Sequence, residues 1–312
     1  MQSAEAVAFA PASVGNVAVG FDILGCSVPA VGDKVMARRI TERRVLIAGI
    51  SGVTTEIPTD AARNTAGIAV SALMEALQLD HGFELTIEKG IPLGSGLGGS
   101  AASAVAAVVA ANALLAKPVD KLQLLKFALQ GEAITSGTVH VDNVAPSLYG
   151  GLILTVGIDD PIVKRIPVPK VVRCVLVHPH IELTTRTARE ILEPTVKLSD
   201  VIWQQANLAG FLAGCFTGDL RLIRASLQDV LIEPQRKGLI PGFDRAKEAA
   251  MTKGALGCSI SGAGPTIFAW CEEPSAETVC RAIVHAFQSE GLGTDRWISR
   301  IDDVGAQVLK RS

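Results

Sequence analysis

The sequence predicts a protein of the α+β class with two domains. The chain has 312 residues, and a domain usually holds roughly 100–200 residues. Apolar residues recur with the two-residue period of strands in some segments and with the 3.6-residue period of helices in others. The two kinds of segment do not alternate strictly, which argues against a doubly wound sheet. Pro161, Pro167 and Pro169 punctuate the middle of the chain, and they predict domains at 1–165 and 166–312.

Composition and charge exclude several classes of protein. Hydrophobic residues make up 48% of the chain and charged residues 19%, so it can bury a core and is not disordered. A formal net charge of −2 and an aromatic share of 4% argue against nucleic acid as a partner. The most apolar run, Ala101–Ala116, is too weakly apolar to predict a membrane span. Six scattered cysteines without a C-x-x-C pair, and no visible signal peptide, predict a cytoplasmic setting.

The first half is predicted to contain both kinds of element. Pro11 is expected to end the first strand. Asn64 or Thr65 is a candidate cap of the first helix, and Asp120 of the third. A polar loop with glycines is expected after residue 136. The predicted strands are 5–10, 32–40, 44–50, 83–88 and 152–156, and the predicted helices are 64–77, 100–117 and 120–136.

The second half is predicted to begin with a strongly β-forming strand at 171–177. Four helices then follow, the second of them with Ser199 as a candidate cap. Strands dominate the remainder, with one amphipathic helix between the last two. These elements are helices at 184–192, 199–215, 220–229, 242–253 and 275–289, and strands at 255–260, 266–271 and 297–301.

A glycine-rich loop between the strand at 83–88 and the alanine-rich helix is the strongest local signal. It reads IPLGSGLGGSAAS over residues 91–103. Its glycines allow tight turns and a close approach of backbone to ligand. The helix that follows presents free N–H groups and the positive end of its dipole, which together favour a phosphate. Ser95 and Ser100 add hydroxyls that can bind phosphate or Mg²⁺.

Other interpretations of this loop compete with a phosphate site of a kinase. A Walker A loop is excluded because Gly99 is followed directly by Ser100, with no lysine. The G-x-G-x-x-G pattern of dinucleotide-binding proteins matches, but Asp120 follows Pro118 and opens a helix, whereas the ribose-binding acid should end a second strand. A dinucleotide-dependent oxidoreductase and a glycine cluster that serves packing alone both stay open.

A second glycine segment lies near the C-terminus, between two predicted strands. It reads SISGAGPTIF over residues 259–268. Gly262 and Gly264 again permit a close approach of the backbone. Alone, the segment is equally well interpreted as a tight hairpin. Together with the first loop, it suggests a site shared between the two domains.

Three separated segments together resemble one known family. They are PASVGNVAVGFD at 11–22, PLGSGLGGSAAS at 92–103 and SGAGPT at 261–266. In this order they are similar to the motifs of the GHMP kinases, the superfamily of galactokinase, homoserine kinase, mevalonate kinase and phosphomevalonate kinase. The resemblance extends over nearly the whole chain. One departure is Gly99, where many relatives have serine, so a second hydroxyl of the loop is missing.

Within the superfamily, the likeness is greatest to the homoserine kinases. Ser13 stands where sugar and mevalonate kinases tend to have lysine, and the stretches 140–146, 185–192 and 232–241 are also similar to homoserine kinases. The resemblance implies phosphorylation of the side-chain hydroxyl of L-homoserine by ATP with Mg²⁺, a step of threonine biosynthesis. It implies an N-terminal domain like domain 2 of ribosomal protein S5, with a left-handed βαβ unit, and a ferredoxin-like C-terminal domain. Such enzymes are often homodimers.

The resemblance also implies roles for particular residues. Mg²⁺ would be held by Ser100 and Glu132, and these two with Asp142 and Asn143 form the implied catalytic set. Asp142 aligns with the general base of mevalonate kinases, but homoserine kinases can work without a dedicated base, so its protonation role stays open. The implied nucleotide-binding residues are Asn64, Lys89, Pro92, Leu93, Gly94, Ser95, Gly96, Leu97, Gly98, Gly99, Ser100 and Ala101.

Homoserine would be bound by residues from five segments. Arg189 and Arg236 would clamp its carboxylate with help from Thr185, although an arginine on a helix more often forms a surface salt bridge. The polar residues of the first segment would hold its amino and hydroxyl ends, although they could equally cap turns. The implied substrate-binding residues are Asn16, Asp22, His140, Thr185, Arg189, Arg236 and Gly262. A non-catalytic nucleotide sensor is the remaining alternative, and an intact Ser100 and Glu132 argue against it.

Overall fold

The computed structural model describes residues 4–136, 140–157 and 161–312. Its larger sheet has seven strands among these residues, in the order β11-β1-β2-β4-β3, with β5 paired to β2 and β6 to β5. Strands β3 and β4 are parallel, and the other pairs are antiparallel. The strands are β1 Glu5–Gly15, β2 Leu24–Ile40, β3 Val45–Gly52, β4 Gly82–Lys89, β5 Leu152–Val156, β6 Ile162–Ile166 and β11 Gln307–Arg311.

In the described part of the chain, four helices accompany the larger sheet. Helix α2 is buried along most of its length and contacts both β1 and β2. Its alanines make this possible, because small side chains allow a helix to lie close to a sheet. The glycine loop runs directly into this helix, so the loop is anchored in the core. The four helices are α1 Thr65–Ala76, α2 Gly99–Ala113, α3 Lys121–Ser136 and α4 Val141–Tyr149.

The smaller sheet is antiparallel, in the order β10-β7-β9-β8. The side chains of its strand at 172–179 point alternately into two cores. Val175 and Val177 pack with α9 and α10, whereas Cys174 and Leu176 join the larger core. Its strands are β7 Val172–Pro179, β8 Ala255–Ile260, β9 Ile267–Glu272 and β10 Thr294–Arg300. Its helices are α5 Thr185–Glu190, α6 Leu198–Thr217, α7 Leu220–Ser226, α8 Glu233–Arg236, α9 Phe243–Thr252 and α10 Ala276–Ser289.

Most predicted elements are confirmed, and the differences have local causes. Strand β1 continues through Pro11, because Pro11 lies at a register shift with Gly32 where a proline is tolerated. The predicted strand at 32–40 is the second half of the longer β2. Ser199 does not cap α6, which begins after Lys197. The caps at Asn64 and Asp120 are confirmed by hydrogen bonds from backbone N–H groups.

Four helices and strands of the described residues were not predicted, one of them the short helix α8. Helix α4 occupies part of the expected polar loop, with Pro146 inside it. Strand β6 lies among the three prolines, and β11 returns the C-terminus to β1. Because β11 pairs with the larger sheet and one core includes both halves, the boundary at 165/166 stays a prediction. No helix of the described residues combines the length and apolar character that a bilayer crossing needs.

Candidate active site

A cleft lies where the two glycine segments meet. The first segment joins β4 to α2, and the second joins β8 to β9. Eighteen of the predicted site residues line the cleft: Asn16, Asp22, Lys89, Pro92, Leu93, Ser95, Gly96, Gly98, Gly99, Ser100, Glu132, His140, Asp142, Asn143, Thr185, Arg189, Arg236 and Gly262. Among the described residues, Asn64, Gly94, Leu97 and Ala101 were predicted for the site but are not part of its lining.

The carbonyl oxygens of the first glycine loop are held by donors of the protein. Six consecutive carbonyls, from Gly94 to Gly99, each accept a hydrogen bond. The donors, in order, are Leu183 N (3.4 Å), Thr266 N (3.1 Å), Ser261 Oγ (2.8 Å), Ser13 N (3.1 Å), Ala102 N (2.9 Å) and Lys89 Nζ (2.9 Å). Carbonyl oxygens that faced a phosphate would repel it. Here they accept hydrogen bonds from donors of the protein instead.

The end of this loop suits an anion for two further reasons. Gly98 precedes α2 with a left-handed φ of 65°, and no side chain caps the helix, so its first N–H groups have no capping acceptor. The hydroxyl of Ser95 is buried, lines the cleft and has no hydrogen-bond partner in the described part of the chain. Unpartnered donors at a helix N-terminus form the usual phosphate site of a protein.

The glycines of the loop are required by close packing as well as by φ. A Cβ on Gly96 would lie 2.5 Å from the carbonyl oxygen of Ser261, and one on Gly98 would lie 2.1 Å from Ser13 Oγ. Larger residues would therefore push the first loop away from the other segments that form the cleft.

A hydroxyl and a carboxylate meet beside the loop in a group that suits Mg²⁺. Ser100 Oγ donates to Glu132 Oε1 at 3.0 Å, and the same oxygen lies 3.5 Å from His140 Nδ1. Glu132 is 4% exposed, so it is not an ordinary surface acid of α3. Mg²⁺ commonly takes one or two protein oxygens and completes its shell with phosphate oxygens and waters, and this donor set fits it.

The segment between β1 and β2 turns through an unusual backbone conformation that positions Asn16. Asn16, Val17 and Ala18 have φ values of 67°, 42° and 59°; such values are rare for residues other than glycine and cluster at functional sites. Asn16 N–H donates to Asp142 Oδ2 at 3.0 Å, and its side-chain amide donates to the Gly262 carbonyl at 2.9 Å. One residue thereby connects three segments that are far apart in sequence.

Asp142, at the start of α4, is the most perturbed carboxylate of the cleft. Burial raises its pKa to about 6, and the nearby charge of Asp22 acts in the same direction. Its Oδ1 accepts from the Asn143 side-chain amide at 3.2 Å, and Asn143 Oδ1 in turn accepts from the Ser13 hydroxyl at 2.9 Å. A carboxylate with a pKa near neutrality, facing a cleft, can accept or hold a proton.

Two arginines and one aspartate form the opposite corner. Arg189 donates through both terminal nitrogens to Asp22, at 2.7 and 3.0 Å. Its Nε is buried and has no hydrogen-bond partner within the described ranges. Arg236, which is 3% exposed, donates to the carbonyls of Ala188 and Gly262 at 2.8 and 3.1 Å. Burial lowers the pKa of Arg236 to about 10, so it is charged at neutral pH.

Some groups at the cleft were not found by sequence reasoning. Phe21 places its ring 5.4 Å from the Arg189 guanidinium and 5.2 Å from that of Arg236, and nothing in the sequence distinguishes this phenylalanine. Asp33 contacts the base of the glycine loop. It could have been found, because the alternation with buried Val35 and Ala37 places it on the core face of β2.

Two predicted nucleotide contacts have their polar atoms engaged within the protein. The Asn64 side chain caps α1 and donates to the Pro58 carbonyl at 2.7 Å. Lys89 Nζ is bonded to Asp33, to the Gly99 carbonyl and to Ser103 Oγ. A direct role for either in nucleotide binding stays a prediction.

Comparison with known families gives two matches. The sequence model described as "GHMP kinases N terminal domain" matches residues 64–151. The model described as "GHMP kinases C terminal" matches residues 210–289. The first range contains the glycine loop and the implied metal-binding group, and the second contains Arg236 and the second glycine segment.

Individual proteins are similar over nearly the full length. A homoserine kinase of Xanthomonas campestris pv. campestris is 51% identical, over 98% of this chain and 94% of that protein. One from Xylella fastidiosa is 49% identical over the same shares. The crystal structure of homoserine kinase from Cytophaga hutchinsonii superposes with a TM-score of 0.95 at 42% identity, covering 98% of this chain and 97% of that one.

Proposed function

The chain belongs to the homoserine kinase family of the GHMP kinases, and we propose that it transfers the γ-phosphoryl group of ATP to the side-chain hydroxyl of L-homoserine. The product is O-phospho-L-homoserine, a precursor of threonine. One observation carries the proposal: a single cleft combines a loop suited to phosphates with an Asp22–Arg189 ion pair. The negative Asp22 and the positive Arg189 of this pair complement the ammonium and the carboxylate of a free amino acid.

The substrate is oriented by the charged corner. Arg236 and the unpartnered Nε of Arg189 bind the α-carboxylate, because a planar guanidinium suits two carboxylate oxygens. Asp22 and Asn16 face the ammonium and hydroxyl ends, and Thr185 adds a hydroxyl near the carboxylate. His140 lines the same cleft, with its Nδ1 3.5 Å from Glu132 Oε1. The hydroxyl to be phosphorylated is thus directed toward the glycine loop.

Phosphoryl transfer makes one bond and breaks one. The hydroxyl oxygen of homoserine bonds to the γ-phosphorus, the bond from that phosphorus to the β–γ bridging oxygen breaks, and ADP leaves. The hydroxyl proton goes either to Asp142, in the role of a base, or to an oxygen of the transferred phosphoryl group. Positioning and charge neutralisation supply most of the acceleration in such reactions, and the loop amides from Gly94 to Ser100 provide both.

Mg²⁺ is the proposed metal. Ser100 and Glu132 would hold it, and it would neutralise charge on the ATP phosphates. Ser100 donates to Glu132, so the fold itself brings the two oxygens together. His140 borders the same carboxylate and orients it.

A coupled assay of ADP release tests the function. Homoserine, serine, threonine, mevalonate, galactose and 3-aminopropanol are compared as acceptors with Mg²⁺ and ATP. We expect homoserine to give by far the highest kcat/KM and 3-aminopropanol, which lacks the carboxylate, to be rejected. NADH binding measured by fluorescence serves as the control for an oxidoreductase. Activity with mevalonate or galactose above that with homoserine, or tight NADH binding without ATP binding, would contradict the proposal.

We also propose that the enzyme is a cytoplasmic homodimer. Helix α6 supports self-association, because Leu198, Ile202 and Phe216 are 74%, 59% and 63% exposed. Ala206, Ala209 and Ala213 lie between them on the same face at spacings of three or four residues, a pattern typical of paired helices. Sedimentation analysis should give a dimer for the wild type and a monomer for Ile202→Glu. A monomeric wild type would contradict this part of the proposal.

A further inference from the structure

A buried carboxylate lies beneath the glycine loop and outside the proposed set of ATP and homoserine ligands. Asp33 in β2 is 0% exposed. Its Oδ1 accepts from the backbone N–H groups of Gly90 and Ile91 at 2.9 and 3.2 Å. Its Oδ2 accepts from the Ser103 hydroxyl at 2.7 Å and from Lys89 Nζ. Four donors on one carboxylate make this a complete acceptor site.

Lys89, at the end of β4, has all three of its ammonium hydrogens engaged. Besides Asp33, Nζ donates to the Gly99 carbonyl and to Ser103 Oγ, both at 2.9 Å. An ammonium group has three donors, so Nζ has none left for a phosphate. Lys89 is 3% exposed, which is expected of a charge that is paired inside the protein.

These bonds join the two ends of the glycine loop. Gly90 and Ile91 begin the loop, Gly99 ends it, and Ser103 lies one turn further along α2. The loop between them contains glycines at positive φ, at positions 94, 96 and 98, and such residues do not hold a conformation by themselves. A single buried group therefore sets the distance between the point where the loop leaves the sheet and the point where the helix begins.

We propose that Asp33 is a positioning residue of the ATP site, which acts with Lys89 and Ser103 to hold the phosphate-binding amides of the loop in place. The inference rests on the proposed function, because it takes the loop as the ATP site. Lys89 then influences ATP through the backbone of the loop and not through direct contact. Loss of the Asp33 charge loosens both ends of the loop and weakens ATP binding, while the homoserine corner is left intact.

The test compares the KM and Kd of ATP with the KM of homoserine in Asp33→Asn, Lys89→Met and Ser103→Ala. We expect the ATP KM, and the Kd for ATP measured by calorimetry, to rise roughly 10- to 100-fold in the charge variants, as for groups that orient a binding shell. The homoserine KM should change less than twofold. Because Asp33 and Lys89 act as a pair, the double variant should bind ATP more tightly than the additive effect of the two single changes predicts.

The chain offers a matched control on the same two strands. Lys34 and Glu88 are paired in register, form an ion pair at 2.9 Å and are exposed. Lys34→Met and Glu88→Gln should leave both constants unchanged. If Asp33→Asn does not fold, Ser103→Ala keeps both charges and removes one link, and a several-fold rise of the ATP Kd is expected from it.

The outcomes separate this inference from the proposed function. If the variants lower the melting temperature but leave the ATP Kd and KM at wild-type values, Asp33 has only a structural role and the inference is wrong. If they raise the homoserine KM as much as the ATP KM, the effect is not local to the loop and the inference is also wrong. If the wild type binds ATP but does not phosphorylate homoserine, the function is overturned, and the calorimetric comparison still decides the role of Asp33. A wild type that does not bind ATP overturns both.

Discussion

The two ends of the cleft are built in different ways. The phosphate end is one continuous run, residues 90–100, whose carbonyls are bound by the protein and whose ends meet at Asp33. The homoserine end is assembled from separate segments and depends on charges that face one another, such as Asp22 with Arg189. The first end is made of backbone and is held in place by hydrogen bonds within the protein. The second end carries negative and positive side chains, which can pair with the ammonium and carboxylate groups of an amino acid.

The largest expected effect lies where the two ends meet, at Glu132. Glu132→Gln keeps the shape of the side chain and removes the charge next to Ser100. Loss of a group that stabilises charge in the transition state typically lowers kcat about 10²–10³-fold, and the homoserine KM should change far less. Glu75→Gln, an exposed acid on α1, is the control. An unchanged kcat for Glu132→Gln at saturating Mg²⁺ would contradict the metal-binding role.

This difference between the ends explains what could be predicted from sequence. The glycine loop was predictable because its function depends on backbone conformation, and the glycines and the helix pattern that follows them indicate this conformation in the sequence. The partners of Arg189 were not predictable, because Asp22 is 167 positions away in sequence and only the folded chain brings the two together. The family resemblance supplied the residues of this corner. Spacing alone would have left Arg189 as a surface residue of a short helix.

Some differences between prediction and structure have the same origin. Helix α4 was predicted as part of a loop of polar and glycine residues, yet burial against β1 and β2 stabilises a helix there. Strand β11 is exposed along its whole length, so no alternation of buried and exposed positions distinguishes it in the sequence, and it forms by pairing with the edge of β1. The nucleotide contact of Lys89 stays a prediction, and its pairing with Asp33 was not predicted because it depends on the register between β2 and β4. In each case the deciding contact is distant in sequence.

Two buried carboxylates, one near each end of the cleft, should affect stability in opposite ways: loss of one charge should raise the free energy of unfolding, and loss of the other should lower it. Asp142→Asn should raise the free energy of unfolding at pH 8 by about 2–3 kcal/mol, because a buried acid with a pKa of about 6 is destabilising when it is ionised. Asp33→Asn should lower it by about 3–5 kcal/mol, because it leaves the ammonium of Lys89 buried without its partner. Denaturant unfolding measures both. Changes of the same sign would contradict the comparison.

The arginines of the homoserine end should set selectivity for an amino acid. Arg236→Leu removes one partner of the bound carboxylate, and loss of such a partner typically costs about 2–5 kcal/mol. We therefore expect kcat/KM for homoserine to fall by about 30-fold or more, with the ATP KM nearly unchanged. Arg186→Leu, an exposed arginine on the helix that carries Arg189, is the control. If Arg236→Leu and Arg189→Leu both keep near-normal kcat/KM, the arginines do not bind the carboxylate.

The smallest effect is the pH dependence that Asp142 imparts to the homoserine end. Burial and the charge of Asp22 raise its pKa to about 6, so the carboxylate is mostly ionised at pH 7 and becomes protonated as the pH falls through 6. Whether it accepts the proton or only orients the substrate, the ionised form is the active one. We expect kcat/KM to fall about tenfold per pH unit below this value.

Asp142→Asn should remove this limb of the pH profile and leave a low, flat rate. Once the protonation of the terminal phosphate of free ATP is corrected for, the ATP Kd should show no further inflection at the same pH, because the loop amides at the phosphate end do not titrate. Calorimetry of ATP binding between pH 5 and 8 is therefore the control. A wild-type profile that is flat down to pH 5, or a variant that retains the inflection near 6, would show that another group controls the rate. If kcat/KM for homoserine depends on pH in this way and ATP binding does not, the two ends of the cleft differ in kinetics as they do in structure.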